Sequence, residues 1–334
     1  MEENNINTES NDLKIFEPSS NPMDAYESYG YFHSSNTLFH FMKESNYLKD
    51  FLSKRVITPR YCLEDIAYLN LTINGDTFKE IQVLQKCFCD IQLHRITVKS
   101  EVLCEDSITQ GKKKVMLSLL DIYGKYGIGF SKDFCVKNNF HPVHYLNEKS
   151  SYVENLTNML GIAMKNEIED NQISDYVINR LALAKPLHGK MKDMMLPDDS
   201  TRTKYTIYKN FHDEHEWRYI PSPQSISELN RKTNHYRIEQ IFANENMWNS
   251  GRNVIQEFSS IITNEEYNSI WVNFSYSDIR YIIVPNEQER VLFIDYINEE
   301  LSEKSFDCSI CNVKKNRALL ISKIIVLDEI GRDW

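Results

Sequence analysis

The segment from Phe211 to Pro221 concentrates acidic, basic and aromatic side chains in a short stretch. Read as a strand, it directs Glu214, Glu216 and Arg218 to one face, because side chains alternate along a strand. Two carboxylates on one face can polarise a hydroxyl group and stabilise positive charge that develops on a sugar carbon. The same pattern fits an exposed edge strand on which Glu216 and Arg218 form a weak surface ion pair, and the residues alone favour neither interpretation.

A histidine inside an apolar strand is a second candidate. The stretch from Thr37 to Met42 reads as a strand, and His40 lies in its middle. A single histidine in such a position is more often a hydrogen-bonded core residue than a catalyst.

A cluster of glycines marks a third segment. Three of the ten glycines, Gly124, Gly127 and Gly129, fall within YGKYGIGFSKDF. In a glycine-poor chain this predicts backbone that turns sharply or approaches another group closely. The tyrosines here can stack on a flat ring, although a tightly packed turn explains the glycines equally well. The pattern is not GxGxxG after a strand, which argues against a Rossmann nucleotide site.

Metal and phosphate motifs are poorly supported. Cys308 and Cys311 form a single CxxC, with no second CxxC and no histidine after His235, so we expect no zinc site. Lysines 112–114 are most simply a solvated basic loop. The sequence contains no Walker, HExxH or GxSxG motif.

Composition limits the class of protein. The chain has 334 residues, with 38 Lys and Arg against 48 Asp and Glu, which gives a net charge of −10. This acidity argues against a protein that coats nucleic acid or an anionic membrane by charge alone. No segment is apolar enough to span a membrane, and the polar start resembles neither a signal nor a transit peptide. Seven scattered cysteines fit a reducing compartment, so we expect a cytoplasmic protein without membrane contacts.

The hydrophobic patterns predict an α+β fold in which mixed central sheets are flanked by helices. We expect strands at 37–42, 86–93, 142–146, 204–208, 216–220, 278–284 and 318–327, and helices at 45–55, 115–123 and 287–301. A further short helix is capped by Ser131 and ends at Lys137. Residues 1–24 read as a disordered polar tail, 25–222 as the core with a helical insertion at about 151–184, and 223–334 as a C-terminal α/β portion packed on that core.

Longer motifs link the chain to a family. TLFHF, ITPRYC, CFCDIQL, YGKYGIGFSKDF, PVHYL, DEHEWRYIP and YIIVP occur in an order and spacing that resembles the AbiGi family of bacterial abortive-infection proteins. The resemblance extends from about Leu38 to Ile330. It implies a role in phage defence, and the family is usually catalogued as antitoxins of phage-resistance systems.

The order of the motifs also resembles ADP-ribosyltransferases, which have a first strand with a histidine, a central Tyr/Gly/Ser segment and a late strand that opens with Glu-x-Glu. This resemblance implies an ADP-ribosyltransferase-like core, at residues 25–222, that uses NAD. The implied NAD contacts are His40 for the ribose, Tyr126 and Tyr123 for the nicotinamide ring, and Ser131 as support. Glu216 would be the catalytic glutamate, and Glu214 would activate the acceptor.

Two functions follow from these resemblances. The first is an antiphage effector that transfers ADP-ribose from NAD to a macromolecular target. The second is a non-catalytic antitoxin that binds a toxin or another protein of the same defence operon, or represses its own operon. An inactive transferase scaffold would carry the same residues. The enzyme hypothesis predicts that His40 and Glu216 lie on neighbouring strands and face one pocket.

Overall fold

A computed structural model describes residues 34–73, 76–165, 179–197, 203–233, 236–242, 254–302 and 313–333. The described residues all belong to one compact unit, which begins at Ser34. The tail predicted for residues 1–24 and the Cys308/Cys311 pair lie outside the described residues.

The described strands are short, and several carry the alternating pattern expected of half-buried strands. They are β1 Thr37–Met42, β2 Val56–Ile57, β3 Arg60–Asp65, β4 Leu71–Ile73, β5 Asp76–Phe78, β6 Glu80–Cys89, β7 Lys99–Asp106, β8 Lys112–Ser118, β9 Tyr126–Ser131, β10 Phe140–Pro142, β11 His144–Leu146, β12 Ala184–Pro186, β13 His188–Met194, β14 Tyr205–Asn210, β15 Glu216–Tyr219, β16 Ile241–Phe242, β17 Val272–Asn273, β18 Ile279–Val284 and β19 Ile324–Val326.

Helices are interspersed among these strands. They are α1 Ser45–Lys54, α2 Leu119–Tyr123, α3 Lys132–Lys137, α4 Ser151–Lys165, α5 Pro223–Lys232, α6 Val254–Ile261, α7 Glu287–Asp295, α8 Val313–Ile321 and α9 Leu327–Asp333. A 3-10 turn spans Phe211–Glu214, and a π-helical turn at Tyr296–Glu300 extends α7. The predicted helices at 45–55 and 287–301 and the short helix after Ser131 are thus confirmed.

The central sheet has the strand order β10-β15-β6-β1-β9-β18-β19, and β3 and β16 pair with β6. Strand β1 lies between β6 and β9 and is antiparallel to both. Its alternation defines two faces of the sheet: Leu38, His40 and Met42 lie on the His40 face, and Phe39 and Phe41 lie on the Phe39 face.

Each face of the central sheet has its own apolar core. On the His40 face, Leu38 and Phe130 pack with Phe51 of α1 and Phe293 of α7. On the Phe39 face, the two β1 phenylalanines pack with Ile283 of β18 and with Leu327 and Ile330 of α9. Because both faces are covered, every β1 side chain except that of His40 is buried.

A second, four-stranded antiparallel sheet has the order β13-β14-β7-β8. Its inner face carries a core that includes Val102, Cys104, Leu117 and Ile207. The residues between them on the same strands point outward, which gives this sheet one apolar and one solvated face.

Two of the predicted elements are wrong in type. The helix predicted for 115–123 begins only at Leu119, because Lys112–Ser118 pairs with β7 as a strand. Ser118 marks the change: its hydroxyl accepts from the backbone N–H of Asp121, and the Asp121 carboxylate accepts from the backbone of Ser118. Lysines 112–114 therefore lie in β8 and not in a loop.

The closing strand predicted for 318–327 is mostly helical. Helix α8 runs to Ile321, and only Ile324–Val326 pairs with β18. A short apolar run has no periodicity that separates a buried strand from a helix. The strand predicted for 142–146 likewise divides into β10 and β11, which pair with different neighbours.

The α+β class with mixed sheets is confirmed. Helix α4 forms the first part of the predicted insertion, and residues 166–178 lie outside the described part of the chain. The central sheet takes strands from both predicted portions, since β18 and β19 follow residue 223 and pair beside β9. The boundary near residue 222 stays a prediction.

Candidate functional site

Glu216 and Arg218 lie on an interior strand. Strand β15 is paired with β10 on one side and with β6 on the other. Glu216 is 5% exposed and Arg218 is fully buried. The interpretation of this segment as an exposed edge strand with a surface ion pair is therefore wrong, because both hydrogen-bonding edges of β15 are occupied.

The Glu216 carboxylate is held by two cations. Arg218 donates from Nε to Glu216 Oε1 at 2.7 Å, and the Lys185 ammonium contacts Oε2 of the same carboxylate. The backbone N–H of Glu216 donates to the Tyr145 hydroxyl oxygen at 2.7 Å. Lys185 reaches this position because β12 pairs with β11 so that Lys185 lies opposite Tyr145.

Glu214 binds three donors. The Tyr123 hydroxyl donates to its Oε1 at 2.5 Å, Lys209 donates to Oε1 at 2.6 Å, and Lys185 donates to Oε2 at 3.1 Å. Glu214 ends the 3-10 turn that follows β14, and this turn is capped by the side chain of Asn210. The turn thereby places the Glu214 carboxylate next to Lys185, the same ammonium group that contacts Glu216.

The cluster is electrically balanced. Arg218 extends it by a second ion pair, to Glu64 at 2.9 Å, and Gln85 donates to Glu64 at 2.6 Å. The network therefore contains three carboxylates and three cations: Glu64, Glu214, Glu216, Lys185, Lys209 and Arg218. We call these six residues the ion network.

Electrostatics keep the network ionised despite its burial. Burial alone raises the pKa of Glu216, but Arg218 and Lys185 outweigh it and lower that pKa below the ordinary value. Burial opposes charge at Glu214 too, and Lys185 and Lys209 bring its pKa down. In the reverse sense, burial lowers the pKa of Lys185, whereas the two glutamates raise it well above its usual range. Burial and the Glu214 carboxylate raise the pKa of Tyr123.

His40 lies on the opposite face of the sheet from Glu216. Phe39 and Glu216 are both register partners of Cys89 on β6, so their side chains share one face. His40, the next residue after Phe39, points the other way and lies 5.4 Å from the Phe88 ring. The predicted shared pocket is therefore wrong: β6 separates the two strands, and the side chains point to opposite faces.

The glycine-rich segment is a central strand, not a turn. An added Cβ at Gly127 would lie 2.9 Å from the Phe41 ring, and one at Gly129 would lie 2.9 Å from the Phe39 ring. The close approach predicted for these glycines is confirmed, and the approaching groups are aromatic rings of β1. Gly124 alone needs a glycine conformation, with φ of 118°.

The predicted ligand contacts on this segment divide between the two faces. Tyr126 pairs with Met42, which places it on the His40 face, and its ring lies 6.3 Å from that of Phe293. Tyr123 binds Glu214 on the Phe39 face. The Ser131 hydroxyl accepts from the backbone N–H of Phe134 at 3.3 Å and caps α3.

These positions do not fit one NAD molecule. His40 and Tyr126 lie on one face of the sheet, whereas Tyr123, Glu214 and Glu216 lie on the other. The structure brings together the acidic pair and Tyr123, and it adds Lys185 and Lys209, which the sequence did not indicate. Among the described residues, no cluster of three or more metal-ligating side chains occurs.

The sequence of this chain is similar to those of abortive phage resistance proteins. Residues 55–285 match a family model described as "Putative abortive phage resistance protein AbiGi, antitoxin". The chain is also 35% identical, over 283 residues, to the "Abortive phage resistance protein AbiGi" of Lactococcus lactis subsp. cremoris, an alignment that covers 83% of this chain and 98% of that protein. No solved structure matches the chain significantly. No helix in the described ranges is long and apolar enough to cross a membrane.

Proposed function

The chain belongs to the AbiGi family of abortive phage resistance proteins, and we propose that it acts there as a non-catalytic antitoxin that neutralises a partner toxin by protein contact. The word antitoxin in the description of the matching family model supports this choice. The single structural observation that carries it is the ion network, whose acidic pair is already saturated by donors of the same chain.

A catalytic glutamate must reach the reacting atoms of its substrate. Glu216 instead makes its contacts to Arg218 and Lys185 within a buried network. Such a fully paired network fixes the arrangement of β12, β14 and β15, and this is a structural role. An NAD-using ADP-ribosyltransferase is the alternative proposal, and it would require the network to open.

We propose that the partner binds the outer face of the second sheet. One cross-strand row of this face runs through Lys190, Tyr208, Leu103 and Lys114, because these residues are register partners across all four strands. Lys112 and Met116 flank the row on β8. We call Lys112, Lys114, Met116, Lys190 and Tyr208 the outer face.

The chemistry of the outer face favours an acidic partner. Met116 is 54% exposed and Tyr208 is 37% exposed, so apolar area is available between the lysines. Lys114 forms an exposed ion pair with Glu101 at 2.7 Å, and such pairs are weak, so a partner can replace it. Lys112 lies 3.8 Å from the half-buried Glu105, which also accepts from the Tyr208 hydroxyl at 2.6 Å. Lys112 and Lys114 lie on the edge strand β8, and Lys190 lies on the opposite edge strand β13. In a chain of net charge −10, these exposed lysines make the outer face complementary to carboxylates. The proposed occupant is the toxin encoded in the same defence operon, bound through an acidic surface.

Charge reversal tests this proposal. Lys112→Glu, Lys114→Glu and Lys190→Glu combined should abolish the rescue of cells that express the neighbouring operon gene. The matched control reverses three exposed lysines elsewhere, Lys43, Lys149 and Lys232, and should rescue like the wild type. Thermal unfolding of both triple variants checks that they fold.

The outcomes separate the alternatives. If the outer-face variant rescues as well as the control, the contact surface is wrong. If the purified wild type consumes labelled NAD or labels a macromolecule in a lysate, and does not neutralise the neighbouring gene product, the antitoxin proposal is wrong and the transferase proposal replaces it.

A further inference from the structure

Strand β8 forms one edge of the second sheet. It pairs with β7 on one side, and none of the described strands pairs with its other side. The strand is seven residues long, and residues 112–114 and 116 are exposed to solvent. An edge strand has a row of backbone N–H and C=O groups without partners, and these groups can pair with an extended segment of another chain.

The hydrogen bonds of β7 show which of its residues face β8. The backbone N–H of Asp106 donates to the carbonyl oxygen of Gly111, on the β8 side, at 2.9 Å. The N–H of the next residue, Ser107, donates to the carbonyl oxygen of Lys204, on the β14 side, at 3.0 Å. In an antiparallel ladder this direction alternates from residue to residue, so the even-numbered residues of β7 bond to β8.

The same alternation applies to β8. Cys104 and Val102 of β7 lie opposite Lys113 and Val115, so the odd-numbered residues of β8 bond to β7. The residues of the other set have their N–H and C=O groups on the free edge, and these are Lys112, Lys114 and Met116. Among the described residues, none of these three N–H groups donates to another residue. The free edge therefore offers backbone hydrogen bonds to an added strand at each of them.

The opposite edge of the sheet, β13, is interrupted by a bulge. The pairing of β13 with β14 shifts register between Met191 and Met194, and Asp193 has a left-handed backbone with φ of 57°. Such a bulge bends and twists an edge strand away from an incoming chain. Strand β8 pairs with β7 in continuous register over its whole length. It is therefore the edge of this sheet that can accept a further strand.

The side chains of β8 define the residue types that an added strand must carry. Lys112 and Lys114 lie on the outer face, and Val115 lies half-buried on the inner face, against the core of the sheet. Side chains of an added strand alternate between the same two faces, so acidic residues suit the positions beside the lysines and apolar residues the position beside Val115. A second copy of β8 would instead place lysine beside lysine, which is unfavourable.

We propose that the free edge of β8 binds an extended segment of the partner toxin, in which acidic and apolar residues alternate, as an added strand of the second sheet. Backbone hydrogen bonds supply affinity, and contacts of the acidic side chains with Lys112 and Lys114 supply specificity. The two lysines keep unrelated strands from the edge and favour a strand that carries carboxylates. This inference rests on the proposed function, since it assigns how the partner of the outer face is bound.

Synthetic peptides with equal numbers of alternating glutamates and valines test the edge directly. Two isomers carry N-methyl groups, one on its glutamates and the other on its valines, so they have the same charge and composition. In a bound strand only one of these two sets of N–H groups faces β8. In fluorescence anisotropy with the full chain, the unmethylated peptide should bind, and one isomer should bind about tenfold or more weakly than the other. The inference is overturned if the unmethylated peptide does not bind or if the two isomers bind equally.

Two substitutions of Met116 separate the edge from the side chains of the outer face. Met116→Pro removes an N–H group of the free edge, and β8 should keep its pairing with β7 because that group makes no bond in the fold. Met116→Ala removes the same side chain and keeps the N–H group. Met116→Pro should therefore bind the unmethylated peptide about tenfold more weakly than Met116→Ala. Thermal unfolding checks that both variants fold, and the methylated peptides test the edge without any substitution.

Rescue of cells that express the neighbouring operon gene connects the edge with the toxin. Met116→Pro should rescue less well than Met116→Ala. If these two variants rescue equally, while Lys112→Glu, Lys114→Glu and Lys190→Glu combined abolish rescue, the inference is wrong and the proposed function stands.

Two other results identify a different occupant of the edge. If the combined lysine reversal rescues like the wild type, the proposed function is wrong, and the toxin is not the occupant even where the peptide binds. If the wild type sediments as a dimer and Met116→Pro as a monomer, a second copy of the chain occupies the edge, which also overturns the inference.

Discussion

Arg218 and Glu216 are joined by a hydrogen bond of 2.7 Å between Nε and Oε1, and neither side chain has appreciable contact with solvent. The two residues lie two positions apart on β15 and so share a face. Removing one member of a buried ion pair leaves its partner charged and unpaired, which is far more unfavourable than losing an exposed pair.

Replacement of Glu216 should therefore destabilise the protein. Glu216→Gln keeps the shape and removes the charge that Arg218 and Lys185 share, and we expect the free energy of unfolding to fall by about 3–5 kcal/mol. Urea unfolding monitored by circular dichroism measures this change. The control is Glu101→Gln, which removes the exposed partner of Lys114 and should leave the unfolding midpoint unchanged. A loss below about 1 kcal/mol for Glu216→Gln would contradict the structural role of the ion network.

The network also predicts how stability depends on pH. The pKa values of Glu214 and Glu216 are lowered in the folded state, so their contribution is fully present above the ordinary carboxyl value of 4.5 and is lost as the pH falls towards the folded values. We expect the thermal midpoint to drop steeply below about pH 4.5. The drop should be shallower in Glu216→Gln, which has one fewer carboxylate to protonate. Equal slopes in the two proteins would show that other groups control acid unfolding.

Glycine in β9 should be required for packing. Gly129→Ala places a methyl group 2.9 Å from the Phe39 ring and 2.7 Å from Cγ2 of Thr37, and we expect a loss of about 1–3 kcal/mol. Gly161→Ala is the control, because nothing lies within 4 Å of its added methyl group on helix α4. It should leave stability unchanged or raise it by about 0.5–1 kcal/mol. Chemical denaturation of both variants makes the comparison, and equal losses would contradict the packing explanation.

Ser131 should stabilise the protein by capping helix α3. Ser131→Ala removes the acceptor for the Phe134 N–H and should lower stability by about 1 kcal/mol. Ser131→Asp supplies another good capping acceptor and should retain most of the stability. If both variants lose the same amount, the hydroxyl of Ser131 has a role other than capping.

Features with local causes could be predicted from the sequence. Strand β1, the cap at Ser131 and the shared face of Glu216 and Arg218 depend on residues within a few positions of each other. The burial of Glu216 could not be predicted, because it arises from pairing with β6, whose register partner Cys89 is remote in the chain. The alternation of residue types along β15 would be the same whether the strand lay at the edge of a sheet or between two other strands.

Lys185 is the most important residue of the ion network that the sequence did not indicate. It supplies donors to both glutamates, yet it lies just after a stretch that reads as helix and has no motif around it. Its place is set by the parallel pairing of β12 with β11, and such non-local pairing leaves no periodic signal near the residue. For His40, the strand could be predicted from the sequence. The face of the sheet on which its side chain lies, relative to Glu216, could not, because it depends on β6, the strand between them.

The order of strands in the central sheet also constrains synthesis on the ribosome. Strand β9 ends at Ser131, but its neighbour β18 begins only at Ile279. At about 5–20 residues per second, the edge of β9 has no partner for roughly 7 to 30 seconds, until β18 is translated. A strand edge without a partner pairs readily with other chains. Newly made chains should therefore depend on chaperones during this interval, and premature termination before Ile279 should give aggregates and not a smaller folded protein.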